Sequence, residues 1–319
     1  MCTAISDTAL GHIFGRTLDL EYSLGEEVVI TPRRFVLNFL HRQKSTDHYA
    51  IIGAAHVEYG TPFYYDAVNE RGLAAAALSF PKFCEYSRKK TDTHNVASFE
   101  LIPWVLSRAE STEEVRRLLY NTTVTDESAG ENLPATPLHW IFADKRSALT
   151  VECTSGGLKI HDNPEGVLTN SPNFECQLLN LERYEHIINA KRSDTHSHSR
   201  GLYGFGIPGD FSSASRFVRA CYVKSKTIPP KSKSDAVSRL LHLFESISQP
   251  QGVTESEGGT PVKTVYTSAI DTESLEYFFT TYENRRIRCV KLNTTLALGE
   301  NLLRFPMHSE EDILRLNCK

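Results

Sequence analysis

Residues 1–19, MCTAISDTALGHIFGRTLD, place a cysteine directly after the initiator methionine. Because small second residues generally permit removal of the initiator, we expect the mature chain to lose Met1. It then begins at Cys2, with a thiol and a free α-amine on one residue. A free thiol titrates near ~8.5 and an α-amine near ~7.7 to 8, so the amine can accept the thiol proton around neutral pH. The stretch therefore predicts a nucleophile that carries its own base.

The residues that follow predict a β-hairpin. Two β-compatible runs, 3–6 and 12–18, flank residues 7–11, whose polar and Gly content is typical of a loop. If Ser6 faces His12 across this loop, counting back along both strands gives the register of the whole hairpin.

This register predicts a polar site. Cys2 lies opposite Arg16, and directly opposed side chains share one face of a sheet. A guanidinium beside a thiol lowers the pKa of the thiol. Asp19 points to the other face under strict alternation, so we expect a bend or bulge to bring it in, where its carboxylate would orient the amine. The alternative is an edge-strand cysteine, with Arg16 and Asp19 as a solvated pair.

Several short motifs further along the chain accompany this opening. They are FGRTLDLEYS at 14–23, NERGL at 69–73, LHW at 138–140, GVLTNSP at 166–172, PGDF at 208–211, ASRF at 214–217 and TTYEN at 280–284. Together with Cys2-Thr3, they resemble the choloylglycine hydrolase family, which holds bile salt hydrolases and penicillin V acylases. The resemblance extends to about Leu292, and the stretch from roughly residue 298 has no counterpart.

The resemblance implies an α+β fold. It is the four-layer αββα fold of the N-terminal-nucleophile hydrolases, with two stacked antiparallel sheets between helix layers, commonly as a homotetramer. We expect a single domain of this kind over residues 1–319, in which residues 298–319 form a C-terminal extension. Helical patterns inside a strand-rich chain agree with helices packed on a sheet.

Two further polar residues have both a local and a family interpretation. Asn170 precedes Ser-Pro and is locally a turn former, whereas the resemblance makes its side-chain amide an oxyanion donor. Arg216 lies in the first turn of a helix predicted over 214–224, where the macrodipole disfavours a cation, so it needs a partner. Locally that partner is Asp210 at the surface, whereas the resemblance places Arg216 in the active site near Cys2.

The resemblance also indicates residues that contact the substrate. The expected apolar walls of the pocket are Leu18, Tyr22, Tyr64, Ala129 and Leu133. Ser79 stands where bile salt hydrolases commonly carry Asn and penicillin V acylases often carry Tyr, so one amide donor is replaced by a hydroxyl. The stretch Ser199-Arg200-Gly201 resembles the loop of taurine-preferring members.

These observations predict a bile salt hydrolase that cleaves glycine- or taurine-conjugated bile acids through Cys2, without metal or cofactor. Arg16 and Arg216 tune the charge of the site, Asp19 orients the amine and Asn170 holds the oxyanion. The enzyme alternative is a penicillin V acylase or an N-acyl-homoserine lactone acylase on the same fold. A catalytically silent binding protein is the third reading, and a retained Met1 would favour it.

Composition excludes several other classes of protein. The formal charge of −4 and the lack of a basic, aromatic-rich segment give no electrostatic footprint for nucleic acid. The seven cysteines are odd in number and widely spaced, which argues against a disulfide framework or a zinc site. No leader and no run of about 18 apolar residues is present, so we expect a cytoplasmic protein that does not enter a membrane.

The remaining pattern predicts the secondary structure around these motifs. Strands are expected at 28–40, 49–57, 74–80, 138–142, 148–153, 158–161, 264–270, 275–282 and 286–292. Helices are expected at 99–109, 111–119, 214–224, 234–246 and 310–316, the second opened by a capping box from Ser111 to Glu114. Residues 58–65 are expected to form an aromatic connection between strands.

Overall fold

The computed structural model describes residues 1–41, 44–130, 135–191, 201–307 and 310–317. In chain order its strands are β1 (Cys2–Asp7), β2 (Ile13–Leu20), β3 (Glu27–Thr31), β4 (Ile51–Glu58), β5 (Thr61–Asn69), β6 (Ala74–Ser79), β7 (His94–Ala97), β8 (Thr122–Thr125), β9 (Leu138–Ala143), β10 (Ala148–Thr154), β11 (Gly157–Asp162), β12 (Val167–Leu168), β13 (Thr254–Glu255), β14 (Pro261–Asp271), β15 (Glu276–Thr281), β16 (Arg288–Lys291) and β17 (Leu303–Pro306). The α-helices are α1 (Leu101–Leu106), α2 (Thr112–Tyr120), α3 (Phe174–Glu182), α4 (Glu185–Ile188), α5 (Ser213–Lys226), α6 (Lys233–Glu245) and α7 (Thr294–Ala297).

Two antiparallel sheets contain most of these strands. The first sheet runs β12-β1-β2-β14-β15-β16, and β13 adds to β14. The second sheet runs β11-β10-β9-β6-β5-β4-β3-β17. A separate parallel pair joins β7 and β8.

The sheets are stacked, with helices outside them. An inner hydrophobic core takes side chains from β1, β2 and β14 of the first sheet and from β3, β4 and β6 of the second. Helices α3, α5 and α6 cover the other face of the first sheet, while a second core joins the second sheet to α1 and α2. This αββα order confirms the expected fold class. It also explains why β1 and β2 are buried along almost their whole length, since both of their faces are covered.

The predicted N-terminal hairpin is present, but its predicted register is wrong by two residues. Cys2 pairs with Leu18 rather than with Arg16. The loop begins one residue later than expected, because Asp7 stays in β1, where its carboxylate forms a buried ion pair with Arg239 of α6. A shift of two residues preserves the side-chain face, so Cys2 and Arg16 remain on the same side of the sheet.

The strand predictions around residue 60 were also partly wrong. The strand expected over 28–40 ends at Thr31, and most of the expected connection over 58–65 belongs to β5. Tyr59 and Gly60 have φ angles of 51° and 75°, which is the backbone of a two-residue hairpin turn. Because the turn has only two residues, β4 extends to Glu58 and β5 begins at Thr61.

The helix predictions differ from the structure at five places, two of which are the short helices α4 and α7 that were not expected. The helix over 99–109 is a 3-10 turn followed by the short α1, whereas the Ser111 cap of α2 is confirmed by a bond from Glu114 N to Ser111 Oγ at 3.3 Å. The helix expected over 310–316 is wrong, because the described part of that segment is exposed and has no buried face to stabilise a helix. Helix α3 was not expected.

The stretch from residue 298, expected to be a C-terminal extension, takes part in the fold. Its strand β17 pairs with β3 and forms the edge of the second sheet, where Arg304 makes a bidentate ion pair with Glu27. Among the described helices, none is both long and apolar enough to cross a bilayer.

Candidate active site

The candidate site is centred on Cys2, the first residue of β1. Its side chain is 4% exposed, and β1 is flanked by β12 on one side and β2 on the other. The backbone nitrogen of Cys2 donates to Asn170 Oδ1 at 2.8 Å. In a chain that has lost Met1, this nitrogen is the α-amine.

Met1 continues β1 by one residue and pairs with Asp19. The Met1 amino group donates to Asp19 O at 2.6 Å, and Asp19 N donates to Met1 O at 2.9 Å. Met1 also borders an open groove of about 510 Å³, whose other walls are residues 209–212 and 253–255. Removal of Met1 therefore frees both backbone groups of Asp19 beside the new amine and opens the groove toward Cys2.

Arg16 is fully buried between the two sheets. Its Nη1 donates to Tyr65 O at 2.9 Å and to Ala77 O at 2.7 Å, and its Nε donates to Thr17 O. Its Nη2 has no hydrogen-bond partner among the described residues. Burial opposes the charge, but Cys2 and the nearby acidic groups raise the pKa of Arg16 above its ordinary value. Nη2 of a permanent cation is thus free to donate a hydrogen bond near Cys2.

Asp66 is the buried carboxylate below Arg16. Its oxygens accept hydrogen bonds from Tyr266 Oη at 2.5 Å, Ser268 Oγ at 2.9 Å and Tyr277 Oη at 2.8 Å. Burial raises the pKa of Asp66, while Arg16 and these three hydroxyls oppose that shift. Asp66 was not expected at the site, although an acidic residue inside the apolar run of β5 is a signal of a buried partner.

Arg216 lies in the first turn of α5 and is also fully buried. Its Nη1 donates to Cys2 O and to Thr3 Oγ1, both at 2.6 Å, and its Nη2 donates to Asn170 Oδ1 at 2.7 Å. The local interpretation as a surface pair with Asp210 is wrong, because Asp210 accepts from Ser212 and Ser215 Oγ at the start of α5. Burial lowers the pKa of Arg216, which the charges of Asp19 and Cys2 partly offset.

Asn170 links the amine, Arg216 and β6. Its Oδ1 accepts from Cys2 N and from Arg216, and its Nδ2 donates to Ser79 O at 2.7 Å. The side-chain oxygen therefore faces the amine, and one of the two amide N–H groups is used by β6. The preceding residue is fixed by His139 of β9, whose Nε2 lies 2.8 Å from Thr169 O.

Asp19 is fully buried on the other face of β2, as strand alternation requires. Its Oδ1 accepts from Thr264 Oγ1 at 2.7 Å and its Oδ2 from Gln249 Nε2 at 3.1 Å. The expectation that a bend or bulge would turn Asp19 to the face of Cys2 is wrong, because β2 is regular here and the bulge lies in the neighbouring β14, between Thr264 and Tyr266. Asp19 contributes to the charge around both Arg16 and Arg216. Side chains from both faces of the first sheet therefore lie near the start of β1.

No group of three or more His, Cys, Asp or Glu side chains is placed to hold a metal ion in the described ranges. The polar centre instead combines two guanidinium groups, Arg16 and Arg216, with two carboxylates, Asp19 and Asp66.

Residues 2–303 match the family model of linear amide C-N hydrolases, choloylglycine hydrolase family. The chain belongs to the choloylglycine hydrolase family. This membership confirms the resemblance drawn from the motifs and makes the protein a hydrolase of linear amide C–N bonds.

Relatives in the family match over nearly the whole chain, so the expectation that the stretch from about residue 298 has no family counterpart is wrong. The bile salt hydrolase/transferase of Lactiplantibacillus plantarum is 39% identical over 324 residues, which cover 99% of this chain and 100% of that protein. The bile salt hydrolase/transferase of Clostridium perfringens is 31% identical over 329 residues, again covering 99% of this chain and 100% of the relative.

Solved structures agree with this placement. A mutant conjugated bile acid hydrolase from Clostridium perfringens has a TM-score of 0.90 at 30% identity, over 99% of this chain and 100% of that one. A penicillin V acylase from Agrobacterium tumefaciens has a TM-score of 0.74 at 21% identity, over 95% and 90% of the two chains, and shows a shared fold.

The residues expected to line the pocket of this choloylglycine hydrolase family member are not all near Cys2. Leu18 is its cross-strand partner, and Ser79 reaches the site through its carbonyl. Tyr22 is 65% exposed, and Ala129 is half-buried. Leu133 lies outside the described residues, as do Ser199 and Arg200.

Tyr64 was expected in the pocket, and the structure contradicts this. Its ring lies in the core between the second sheet and α1, and its hydroxyl is 2.7 Å from Thr31 Oγ1. A β-bulge between β4 and β5 leaves Tyr65 unpaired, and Tyr65 packs against the inner core. Burial raises the pKa of Tyr65, with Glu26 and Cys2 adding to the shift and Arg16 opposing it. Tyr65 is thus the tyrosine that faces the site.

Proposed function

We propose that this protein hydrolyses the amide bond of bile acids conjugated to glycine or taurine, with Cys2 as the nucleophile after loss of Met1. One observation carries the proposal: Arg16, Asp19, Asn170 and Arg216 surround the residue that becomes the N-terminus. The substrate class comes from relatives named as bile salt hydrolases, which match this chain from end to end.

The first step is attack of the Cys2 sulfur on the amide carbonyl. The thiol proton passes to the α-amine, the S–C bond forms, and the carbonyl oxygen becomes an oxyanion. The bond from Cys2 N to Asn170 Oδ1 supports this step, because it uses an N–H of the amine and leaves the lone pair for the thiol proton. The unused Nη2 of Arg16 supports the thiolate by its positive charge.

The oxyanion needs preorganised donors. Asn170 has two amide hydrogens, of which one is donated to Ser79 O. We assign the second hydrogen to the oxyanion, where one such donor is worth roughly 3 to 4 kcal/mol. Arg216 holds Asn170 Oδ1 and so fixes the direction in which the amide hydrogens point.

Collapse of the intermediate breaks the C–N bond. The ammonium of Cys2 gives its proton to the departing glycine or taurine, and a bile-acyl thioester remains on the sulfur. Water then attacks the thioester with the amine as base, and the S–C bond breaks to release the bile acid and the thiol. Asp19 orients the amine through both halves of the cycle.

Penicillin V or N-acyl-homoserine lactone acylase activity is the second candidate, and the shared fold with a penicillin V acylase is the observation in its favour. The absence of Tyr at position 79 favours the bile acid conjugates, and we retain a preference for taurine as part of the proposal. A non-catalytic binding protein requires a retained Met1, whose amide bond would remove the base.

We also propose a cytoplasmic homotetramer. The six cysteines in the described ranges are free, which suits a reducing compartment. Leu202 and Phe205 are exposed on a Gly-rich segment, and exposed apolar side chains of this kind favour association with another copy.

The direct experiment combines mass and substrate measurements. Intact-mass analysis of the purified protein is expected to show loss of Met1. Incubation with glycocholate, taurocholate and penicillin V, followed by assay of the released amine, is expected to show turnover of the two bile conjugates above that of penicillin V. Turnover of penicillin V alone would replace the proposal by its alternative, and an active enzyme that retains Met1 would remove the amine from the mechanism.

A further inference from the structure

Two neutral side chains from outside the N-terminal hairpin hold the Asp19 carboxylate. Thr264 Oγ1 donates to Oδ1 at 2.7 Å, and Gln249 Nε2 donates to Oδ2 at 3.1 Å. All three side chains are buried, and Thr17 Oγ1 adds a longer contact at 3.4 Å. A buried carboxylate needs donors, and these two donors stabilise its charge without adding a cation that would compete with the Cys2 ammonium.

Gln249 also determines the direction of the Thr264 hydroxyl. The backbone N–H of Gln249 donates to Thr264 Oγ1 at 2.8 Å, and Thr264 N donates back to Gln249 O at 3.0 Å. A hydroxyl has one proton, so a hydroxyl that already accepts the Gln249 N–H directs its own proton to Asp19. Gln249 therefore acts on Asp19 twice, through its amide and through Thr264.

The Gln249 amide is itself held in one orientation. Thr254 Oγ1 of β13 donates to Gln249 Oε1. An ionised carboxylate accepts hydrogen bonds and donates none, so the NH2 of the amide must face Asp19 and its oxygen must face Thr254. Thr254 is half-buried and also borders the groove that contains Met1. A chain of hydrogen bonds therefore connects the groove, through Thr254 and Gln249, to the Asp19 carboxylate.

We propose that Gln249 is a positioning residue for the hydrolysis: it aims the Asp19 carboxylate at the Cys2 α-amine. The inference rests on the proposed function, because it requires the amine to be the base. When the amine takes the thiol proton, a carboxylate in a fixed place holds the ammonium in the orientation from which it protonates the leaving group. The side-chain hydrogen bonds of Gln249 go to Asp19 and Thr254.

The first test compares two identical changes. Gln249→Met keeps the length of the side chain and removes both of its side-chain hydrogen bonds, while Gln251→Met makes the same change at an exposed position two residues away. Gln249 also borders a cavity of about 750 Å³ between α6, β14 and β15, so the altered side chain has room. We expect kcat for taurocholate to fall about 10- to 100-fold in Gln249→Met with KM nearly unchanged, and Gln251→Met to match the wild type. Equal kcat in the two variants would overturn the proposal.

The second test separates positioning from packing. Gln249→Glu keeps the shape, and two carboxylates that share a buried site retain a proton at low pH, when the acid form carries an O–H donor for Asp19. The kcat of Gln249→Glu relative to the wild type is therefore expected to rise as the pH is lowered from 8 to 5, with no such rise for Gln249→Met. A loss of equal size in both variants at every pH would indicate a structural role only.

A third variant covers the case in which neither change folds. Thr254→Val removes only the outer hydrogen bond that orients the amide, at a half-buried position, and we expect a loss of kcat of a few-fold. No change in kcat would count against the proposal.

A substrate-free measurement separates the two proposals. The rate of Cys2 alkylation by iodoacetamide across the same pH range measures the reactivity of the thiol beside its amine. If Cys2 of the wild type is alkylated rapidly but the protein cleaves no bile acid conjugate, the proposed function is wrong. If the wild type cleaves the conjugates and the Gln249 variants have the same kcat, the positioning role of Gln249 is wrong.

Discussion

Cys2 depends on a group that no side chain supplies. In the proposed mechanism its base is the α-amine exposed by removal of Met1, and in the structure this nitrogen donates to Asn170 Oδ1. A cysteine at any internal position would lack this base, so the remaining thiols of the chain provide natural controls.

The first prediction concerns the nucleophile. Cys2→Ser is expected to lower kcat for taurocholate by at least about 100-fold, because a hydroxyl is a far weaker nucleophile than a thiol with the same base. The fold is expected to persist, since the sulfur makes no structural bond. Cys176→Ser, an exposed thiol on α3, is expected to keep wild-type kcat. Steady-state kinetics with thermal unfolding of both variants checks this, and undiminished turnover in Cys2→Ala would refute the mechanism.

The second prediction concerns Arg216. Arg216→Met removes the guanidinium that donates to Asn170 Oδ1, Thr3 Oγ1 and Cys2 O. Breaking a buried charged network of this kind costs about 3 to 5 kcal/mol, and the same change releases the Asn170 amide. We expect a large loss of both kcat and unfolding free energy, measured by urea denaturation. Arg183 is an exposed arginine after α3, and Arg183→Met is expected to leave kcat unchanged and to alter the unfolding free energy by no more than about 0.5 kcal/mol.

The residues of the site were predictable where a local motif marked them and hidden where the fold alone assembles them. Cys2, Arg16, Asp19, Asn170 and Arg216 lie in short motifs, and the structure brings them together. Asp66 and Gln249 lie in no such motif, and their roles appear only when β5, β14 and the loop after α6 meet the hairpin. Tyr64 was expected in the pocket from the family resemblance, and the bulge that turns Tyr65 toward the site instead is not visible in the sequence.

At the scale of elements, the contact between β2 and β14 sets the position of Arg16. Gly15 lies so close to β14 that a Cβ atom built on it would be 2.1 Å from Ser268 O. The neighbouring Arg16 N donates to Ser268 Oγ at 3.1 Å, and that serine in turn donates to Asp66. The two strands therefore approach closely where the first guanidinium is supported.

The third prediction follows from this close approach. Gly15→Ala is expected to push β14 away from β2 and to cost about 1 to 3 kcal/mol or more of unfolding free energy, because the atom it meets is backbone and cannot rotate aside. Gly258→Ala, in the turn before β14, meets nothing closer than 3.9 Å and is expected to be nearly neutral. Urea denaturation of both variants measures the difference. Equal stability would show that the sheet accommodates the methyl group.

Elements were predicted best where both ends carried a chemical signal. The Ser111 cap and the apolar face marked α2, and the turns after β9 and β10 separated those strands. The hairpin register could not be read from the sequence, since Asp7 looks like a loop residue until Arg239, 232 residues away, supplies its buried partner. The same limit applies to β17, whose partner β3 lies almost at the other end of the chain.

At the scale of the whole molecule, the αββα layers create interior space for polar groups that no single sheet would tolerate. Arg16 and Asp66 lie between the sheets, while Arg216 and Asp19 lie between the first sheet and its helices. Each of these two spaces thus holds one guanidinium and one carboxylate of the site, which limits the cost of burying the charged groups. The same layers also bury the ring of His12, and this has a consequence for stability.

The last prediction concerns His12, in the loop between β1 and β2. Its ring is buried, with Nε2 3.0 Å from Ser6 Oγ and Nδ1 3.0 Å from Thr272 Oγ1. Burial lowers the pKa of His12 to about 4, against the smaller raising effect of Asp144 and other acidic groups. In the unfolded chain a histidine titrates near ~6.5. Between these values the unfolded state binds the extra proton, so the contribution of His12 to stability is present above pH 6.5 and is lost as the pH falls toward 4, by about 3 kcal/mol in all.

Urea denaturation of the wild type and of His12→Gln between pH 7.5 and 4.5 tests this. The variant is expected to be less stable by about 1 to 2 kcal/mol at pH 7.5, because glutamine replaces only part of the hydrogen bonding. The gap is expected to narrow or reverse at pH 4.5, since glutamine takes up no proton on unfolding. His186→Gln, an exposed histidine on α4, is expected to give a curve parallel to the wild type. If the unfolding free energy of His12→Gln also runs parallel to that of the wild type across this pH range, the buried imidazole is not what makes the fold sensitive to acid. Asp66 does not account for such sensitivity, because its raised pKa favours the folded state at low pH.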